Sequence, residues 1–267
     1  MAERNHIPVI PIEHVFVGGV RAATSSLTEL TQAIVQDCLQ RRKRHGGGPP
    51  RLLFDSNGHG ISLAATDHGY GQALNAADAV HADGSWIVAA SRYVSGARIA
   101  GRSATTDMIH DLAAAGVEHG LRHYLLGGTD EINAACASRM SKIHPGIIIS
   151  GRHHGYFGAD EETTVIAEIN AASPDILWIG LGKPREQLFA ARIKQELQAA
   201  WVITCGGCFN YVVGAYRRAP LWMRENHLEW LFRAVNNPRL LGRYAKTSPH
   251  ALWLTLTRID RRRITSD

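Results

Sequence analysis

Five short segments supply glycines, residues that titrate or hydrogen-bond, or both: "DSN" at 55–57, "ADG" at 82–84, "LGG" at 126–128, "GLGKPREQ" at 180–187 and "CGGCFN" at 205–210. Glycine lets backbone N–H groups approach an anion, and a helix starting behind the turn adds the positive end of its dipole. Gly127, Gly128, Gly180, Gly182, Gly206 and Gly207 mark three such turns, and three in one chain predict a phosphate-bearing ligand. Asp55 and Asp83 add carboxylates, flanked by Asn57 and Gly84, while Pro184, Glu186, Gln187, Phe209 and Asn210 follow the last two turns. Further on, "YRRAPLWMRENHLEWLFRAVNNPRLLGRY" (216–244) interleaves Arg217, Arg218, Arg224, Arg233, Arg239 and Arg243 with Trp222, Trp230 and Phe232. Arginine presents a planar, permanently charged fork of donors that suits phosphate. That stretch fits a diphosphate, a nucleic acid, an anionic membrane or plain solvent.

The glycine segments need elements to hold them. From residue 79 the pattern alternates: strands "AVHA", "RHYLLGG", "GIIIS", "DILWIGLG" and "AWVITCGG" are separated by helical stretches at 84–94, 104–118, 129–140, 160–172 and 184–197. "RLLFDSNG" adds a strand, preceded by a helix over 27–44 and a "GGGPP" linker. Such alternation implies a Rossmann-like α/β fold, a parallel sheet flanked by helices, whose ligands bind outside the carboxyl ends of the strands. Every glycine segment falls at such an end. The last predicted strand ends near residue 205. We therefore expect an α/β catalytic domain over 1–214 and a basic, amphipathic helical appendage over 215–267.

The 267 residues are 45% hydrophobic, enough to bury a substantial core. Lys plus Arg number 29 against 24 for Asp plus Glu, a modest excess whose placement matters more than its size. Four cysteines make no disulfide framework, and the Cys205/Cys208 pair lacks the second pair of a structural zinc site. His119/His123 and His153/His154 have no carboxylate at matching spacing, so no metal is expected. Pro8, Pro11, Glu13 and His14 interrupt any signal-peptide core, and no run of about 18 apolar residues spans a bilayer. The chain reads as cytoplasmic.

Motif spacing narrows the chemistry. "GLGKPR" and "LGGTDE" both miss G-x-G-x-x-G, and neither opens the first βαβ unit, which weakens an NAD(P)-dependent oxidoreductase reading. No G-x-x-x-x-G-K-[ST], no G-x-S-x-G and no D-x-D pair occurs. A nucleic-acid-binding module using the basic C-terminus is the non-enzyme rival, and steeply salt-dependent binding would reveal it.

Residues from about 15 to 244 resemble the WecG/TagA/CpsF family of bacterial glycosyltransferases. The resemblance rests on "HADGSWIVAAS", "ARIAG", "YLLGG", "PDILWIGLGKPREQ" and above all "CFNYVVGAYRRAPLWMRENHLEWLFRAVNNPRLLGRY". It implies inverting transfer of a sugar from a UDP-sugar to an undecaprenyl-diphosphate-linked saccharide, with no obvious metal, in bacterial surface or exopolysaccharide synthesis. Such transfer needs a base for the acceptor hydroxyl and positive charge for the leaving diphosphate. Asp83 ends a buried-looking strand and matches the family's proposed catalytic aspartate; its bland alternative is a helix cap, and Asp55 competes with it as the base. The matched segments supply the substrate-binding candidates: Asn57, Gly84, Arg98, the paired glycines above, Pro184, Glu186, Gln187, Phe209, Asn210, Arg217, Arg218, Arg233, Arg239 and Arg243.

The chain departs from the family pattern at three places. P-K-Q-E becomes P-R-E-Q at 184–187, F-D becomes Phe209–Asn210, and Thr-x-Asn becomes Asp55-Ser56-Asn57. In the late segment, Leu228, Leu231, Phe232 and Val235 predict a buried helical stripe, with Trp230 as core and Glu229/Arg233 as an i, i+4 pair. Leu252, Leu256 and Ile259, with Trp253 and the following arginines, read as an interfacial helix on an anionic leaflet or as a docked helix with a solvated tail. The expected enzyme is peripheral on the inner face of the cytoplasmic membrane and meets no nucleic acid; a homo-oligomer stays open.

Overall fold

The computed structural model describes residues 12–43, 48–226 and 228–265. It begins with a hairpin, β1 (Glu13–Val17) and β2 (Val20–Ala23), closed by Gly18 and Gly19 at φ +62° and +85°. Two successive positive φ values demand glycine, and a Cβ on Gly18 would also lie 2.7 Å from Ile61 Cγ2. Helix α1 (Leu27–Lys43) follows behind a capping box, in which Glu29 N–H donates to Ser26 Oγ and Ser26 N–H donates to Glu29 Oε2.

The chain then builds β3 (Arg51–Ser56), α2 (Gly58–Thr66), α3 (His68–Ala76), β4 (Ala79–Ala82), α4 (Ser85–Val94), α5 (Thr105–Val117), β5 (Arg122–Gly127), α6 (Asp130–Ile143), β6 (Ile148–His153), α7 (Glu162–Ala171), β7 (Ile176–Gly180), α8 (Arg185–Ile193), β8 (Trp201–Thr204) and α9 (Cys208–Val212). The six strands β3 to β8 form one sheet in the order β4-β3-β8-β7-β5-β6, every neighbouring pair parallel. Its central strands are apolar on both faces, because helices cover both. Leu52, Phe54, Leu177 and Ile179 point into one layer; Leu53, Ile176, Trp178 and Ile203 point into the other. The expected α/β fold is the observed one, and the glycine segments stand at the carboxyl ends of β3, β4, β5, β7 and β8.

The C-terminal part adds α10 (Leu221–Glu225), α11 (Glu229–Asn236), α12 (Arg239–Thr257) and β9 (Arg263–Thr265). Strand β9 pairs antiparallel with β1, so the strands do not end near residue 205 as expected. Three residues in an arginine-rich tail carry no period-2 signal that would announce a strand. Helix α12 lies on α2, where Ser62 Oγ meets His250 Nδ1 at 2.9 Å and Ala251 and Leu254 are fully buried.

Helix α11 differs from the predicted stripe. Val235 is 72% and Leu231 39% exposed, whereas Ala234 is buried and the Glu229 carboxylate is only 13% exposed. Trp230 is 52% exposed, edge-on to Tyr244, rather than in the core. The charged side of this helix turns inward because its partners there are charged, and this leaves the apolar side at the surface.

Candidate active site

Strand β3 delivers Asp55 to the sheet's carboxyl edge, 5% exposed. The Lys183 ammonium, from the turn after β7, donates to its Oδ2. Gln187, in the first turn of α8, spreads one amide nitrogen over Asp55 Oδ1 (3.4 Å), Thr204 Oγ1 (3.3 Å) and Glu186 Oε1 (3.1 Å). Burial alone would raise the Asp55 pKa, but the Lys183 charge, His81 and the lysine hydrogen bond outweigh it and hold the carboxyl below its usual range. This contact accounts for the P-R-E-Q order. A carboxylate at 187 would face the Asp55 carboxylate, whereas an amide offers it a donor.

Glu186 fastens two loops. Its Oε2 accepts the N–H of Gly182 (3.0 Å), after β7, and of Gly206 (2.9 Å), after β8. Burial first, and the nearby Asp55 second, push this carboxyl up to about 7. Gly182 and Gly206 hold φ of +78° and +51°, so their backbones turn toward the open side of the sheet.

Asp83 follows β4 immediately, and its N–H donates to Ser56 O at 2.9 Å. Arg102 donates Nε–H to the Asp83 carbonyl at 2.9 Å and places Nη2 3.8 Å from Asp83 Oδ1. The same guanidinium binds Glu229 Oε2 at 2.6 Å, and the other Glu229 oxygen takes Arg233. Arg233 in turn lies over the Tyr211 ring, 5.1 Å from its centroid. Burial is the largest influence on Asp83 and raises its pKa; Asp55 raises it too, against the lowering by Arg102, Arg233 and His81. The side chain keeps 16% of its surface exposed. One acid is therefore paired with a cation that favours its ionised form, while burial opposes ionisation of the other.

The remaining predicted residues divide by position. Asn57 caps α2, its Oδ1 accepting Gly60 N–H at 3.1 Å, and Gly84 caps α4 beside it. Gly127 holds φ +137°, and a Cβ there would lie 2.3 Å from Gly180 O. Gly128 donates to that same oxygen at 3.3 Å, which locks the ends of β5 and β7 together. Gly207 opens α9 as its N-cap, and Pro184 caps α8. Phe209 is 1% exposed, its ring beneath Gly180 and Gly128, so it shapes these loops from inside the core. Asn210 is half-buried, and its carbonyl accepts the Tyr216 N–H.

Among the arginines, Arg218 makes a two-pronged contact with Asp107 at 2.7 and 2.9 Å, away from both acids. Arg217 and Arg98 are exposed. Arg243 is exposed on α12; it lies near α2, where burial first and the Arg243 charge second lower His59 to about 4. Arg239 opens α12, and its side chain lies outside the described residues.

The structure thus brings together Asp55, Asp83, Asn57, Gly84, the β7 and β8 turns, and Arg233. Sequence reasoning missed Lys183, Arg102 and Tyr211. Arg102 stands one residue beyond the quoted "ARIAG", and Lys183 lies inside "GLGKPREQ"; only their partners across the fold distinguish them from other cations. Among the described residues no group of three or more His, Cys, Asp or Glu side chains is arranged to hold a metal ion, and no helix is long and apolar enough to cross a membrane.

Comparison with known proteins fits this site. The model of the glycosyl transferase WecG/TagA/CpsF family matches residues 15–264. The chain is similar to N-acetylglucosaminyldiphosphoundecaprenol N-acetyl-beta-D-mannosaminyltransferase of Staphylococcus aureus strains MRSA252, MW2 and NCTC 8325 / PS 47. It is 28% identical to each over 193 residues, covering 72% of this chain and 74% of the relative. With nearly its whole length matched and an acid pair at the sheet's carboxyl edge, the chain belongs to the glycosyl transferase WecG/TagA/CpsF family and is a glycosyltransferase.

Proposed function

We propose that the protein moves a sugar, with inversion, from a UDP-sugar to an undecaprenyl-diphosphate-linked saccharide in bacterial surface or exopolysaccharide synthesis. The observation that carries this reading is Asp83: a partly exposed carboxyl at a strand end, beside the α4 cap Gly84, its pKa raised chiefly by burial and its geometry held by Arg102. In this reading Asp83 takes the proton of the acceptor hydroxyl as that oxygen attacks the anomeric carbon and UDP departs from the opposite face. Asp55, already bound by a lysine, is the weaker base. The glycine turns after β5, β7 and β8 leave room for the diphosphate at this edge, and Arg233 and Arg243 supply counter-charge, so no metal is required. The acceptor class follows the relatives' name, which gives an undecaprenyl-diphosphate-linked N-acetylglucosamine.

The C-terminal surface supports a position at the inner face of the cytoplasmic membrane. Trp222, Trp230, Val235, Leu252, Trp253, Leu256 and Ile259 are all more than half exposed. Arg258, Arg261 and Arg262 are exposed just beyond them. Apolar side chains rimmed by cations are what an anionic leaflet binds.

A thermal-shift screen of UDP-glucose, UDP-N-acetylmannosamine, UDP-N-acetylmannosaminuronic acid, UDP and NADH tests the donor, since a bound ligand raises the melting temperature. UDP and one UDP-sugar are expected to stabilise the protein and to support transfer in EDTA. Stabilisation by NADH alone, or transfer that EDTA abolishes and Mg²⁺ or Mn²⁺ restores, overturns the corresponding part of the reading.

A further inference from the structure

The carboxyl ends of β3 and β4 set two acids side by side, with Asp55 opposite His81 in the register and Asp83 hydrogen-bonded to Ser56. Their charge compensation is unequal. Asp55 has Lys183 to itself, in a contact where the two side chains are 7% and 10% exposed. Asp83 has only a share of Arg102, at 3.8 Å, while that guanidinium bonds Glu229 at 2.6 Å. Without Lys183, the buried Asp55 charge would act on Asp83 at short range through a poorly screening interior.

We propose that Lys183 is a positioning residue for proton transfer: by neutralising Asp55 it favours the ionised form of the neighbouring Asp83, with no ion pair between Lys183 and Asp83 themselves. The idea rests on Asp83 being the base of the transfer. The other groups around Asp83 do not replace Lys183. His81, on β4, is fully buried, and that burial disfavours its charged form. Arg102, from the segment before α5, and Arg233, on α11, are both engaged by Glu229. Tyr211 and Cys208, on α9, are neutral, each with its pKa raised by burial. Asp55 lies within the reach of Asp83 and lowers the proton acidity of that group, so its own neutralisation sets the outcome.

The arrangement also assigns Gln187 a part. Its amide donates to Asp55 at 3.4 Å and to Glu186 at 3.1 Å, bridging the two, while burial first and Asp55 second push the Glu186 carboxyl up to about 7. In this proposal the turn after β7 acts on the protonation of an acid three strands away in the sheet.

The test follows the Asp83 carboxyl by ¹³C NMR in aspartate-labelled protein, assigned by its loss in Asp83→Asn, together with kcat/KM against pH. In Lys183→Met the Asp83 titration and the acidic limb of the rate profile are expected to move up by about one pH unit. Asp55→Asn alone is expected to move both downward, and Asp55→Asn/Lys183→Met to return both toward the wild-type position. Asp55→Asn carries the decision even if Lys183→Met does not fold, and the double variant removes the buried ammonium that Asp55→Asn leaves unpaired. An Asp83 titration that stays in place in Asp55→Asn, or that stays displaced in the double variant, overturns the proposal, as does a Lys183→Met enzyme with a lowered plateau and an unmoved limb, which would make Lys183 a substrate contact. Full transfer by Asp83→Asn would instead remove Asp83 as the base, a result separate from the NMR shifts.

Discussion

Arg102 and Glu229 meet at 2.6 Å across 127 positions of sequence, and through this pair the C-terminal helices are tied to the strand end that carries Asp83. Glu229 is also the acceptor for Arg233, so one carboxylate holds two guanidiniums. Removing it leaves both without their acceptor in a half-buried place. Glu229→Ala is expected to cost about 2–3 kcal/mol in urea unfolding. In a double-mutant cycle with Arg102→Met, a coupling energy near zero would show the contact to be incidental.

Asp83→Asn is expected to keep the fold and UDP binding yet lower turnover by roughly 10²–10⁴, the range for loss of a general base. Asp55→Asn leaves Asp83 in place and is expected to cost much less at the pH optimum. If Asp55→Asn is the inactive variant and Asp83→Asn turns over nearly normally, the base is Asp55.

Glu186 gives stability a pH dependence of definite sign. In the folded protein it holds its proton up to about 7, against 4.5 for an ordinary glutamate. Between those values the native state binds more protons than the unfolded chain, so stability falls as pH rises through the window. Glu186→Gln cannot ionise. The stability of the wild type relative to this variant is expected to drop by about 3 kcal/mol between pH 4.5 and 7.5. A difference that is flat with pH, measured by urea unfolding, would show that Glu186 is ionised throughout.

The tail prediction follows from what is exposed and what is not. Truncation after Gly242 removes the buried Ala251 and Leu254 and the β9 pairing with β1, so it is expected to destabilise the whole protein. Leu252→Ser/Trp253→Ser/Leu256→Ser changes exposed positions only. That variant is expected to keep its melting temperature within a few degrees, to lose sedimentation with anionic vesicles, and to transfer sugar poorly to a lipid acceptor. Undiminished vesicle binding would leave α12 as a packed helix with a solvated outer face.

Several features were legible in the chain because they are local. Apolar runs ending in glycine or a polar turn announced β3 to β8, and the 3.6-residue spacing after Leu27 announced α1. Since parallel strands place their ends on one edge, the glycine segments had to converge there once the alternation was recognised. The segment 58–76 was not legible as helix. Gly58, Gly60, Gly69 and Gly71 read as loop, yet Gly71 is required where α3 crosses α2, a Cβ there lying 2.9 Å from Ala64 O.

What the sequence determined by itself was the parallel α/β sheet, the edge on which the glycine segments gather, and the acids present there, since each follows from short-range pattern. Tertiary structure alone decided which acid is neutralised and which stays poised. Lys183 reaches Asp55 across 128 positions, and Arg102 reaches Glu229 across 127. It also decided that α11 turns Glu229 and Arg233 inward and Val235 outward, opposite to its apolar periodicity. Electrostatic pairing depends on distance in space, which periodicity along a chain does not encode.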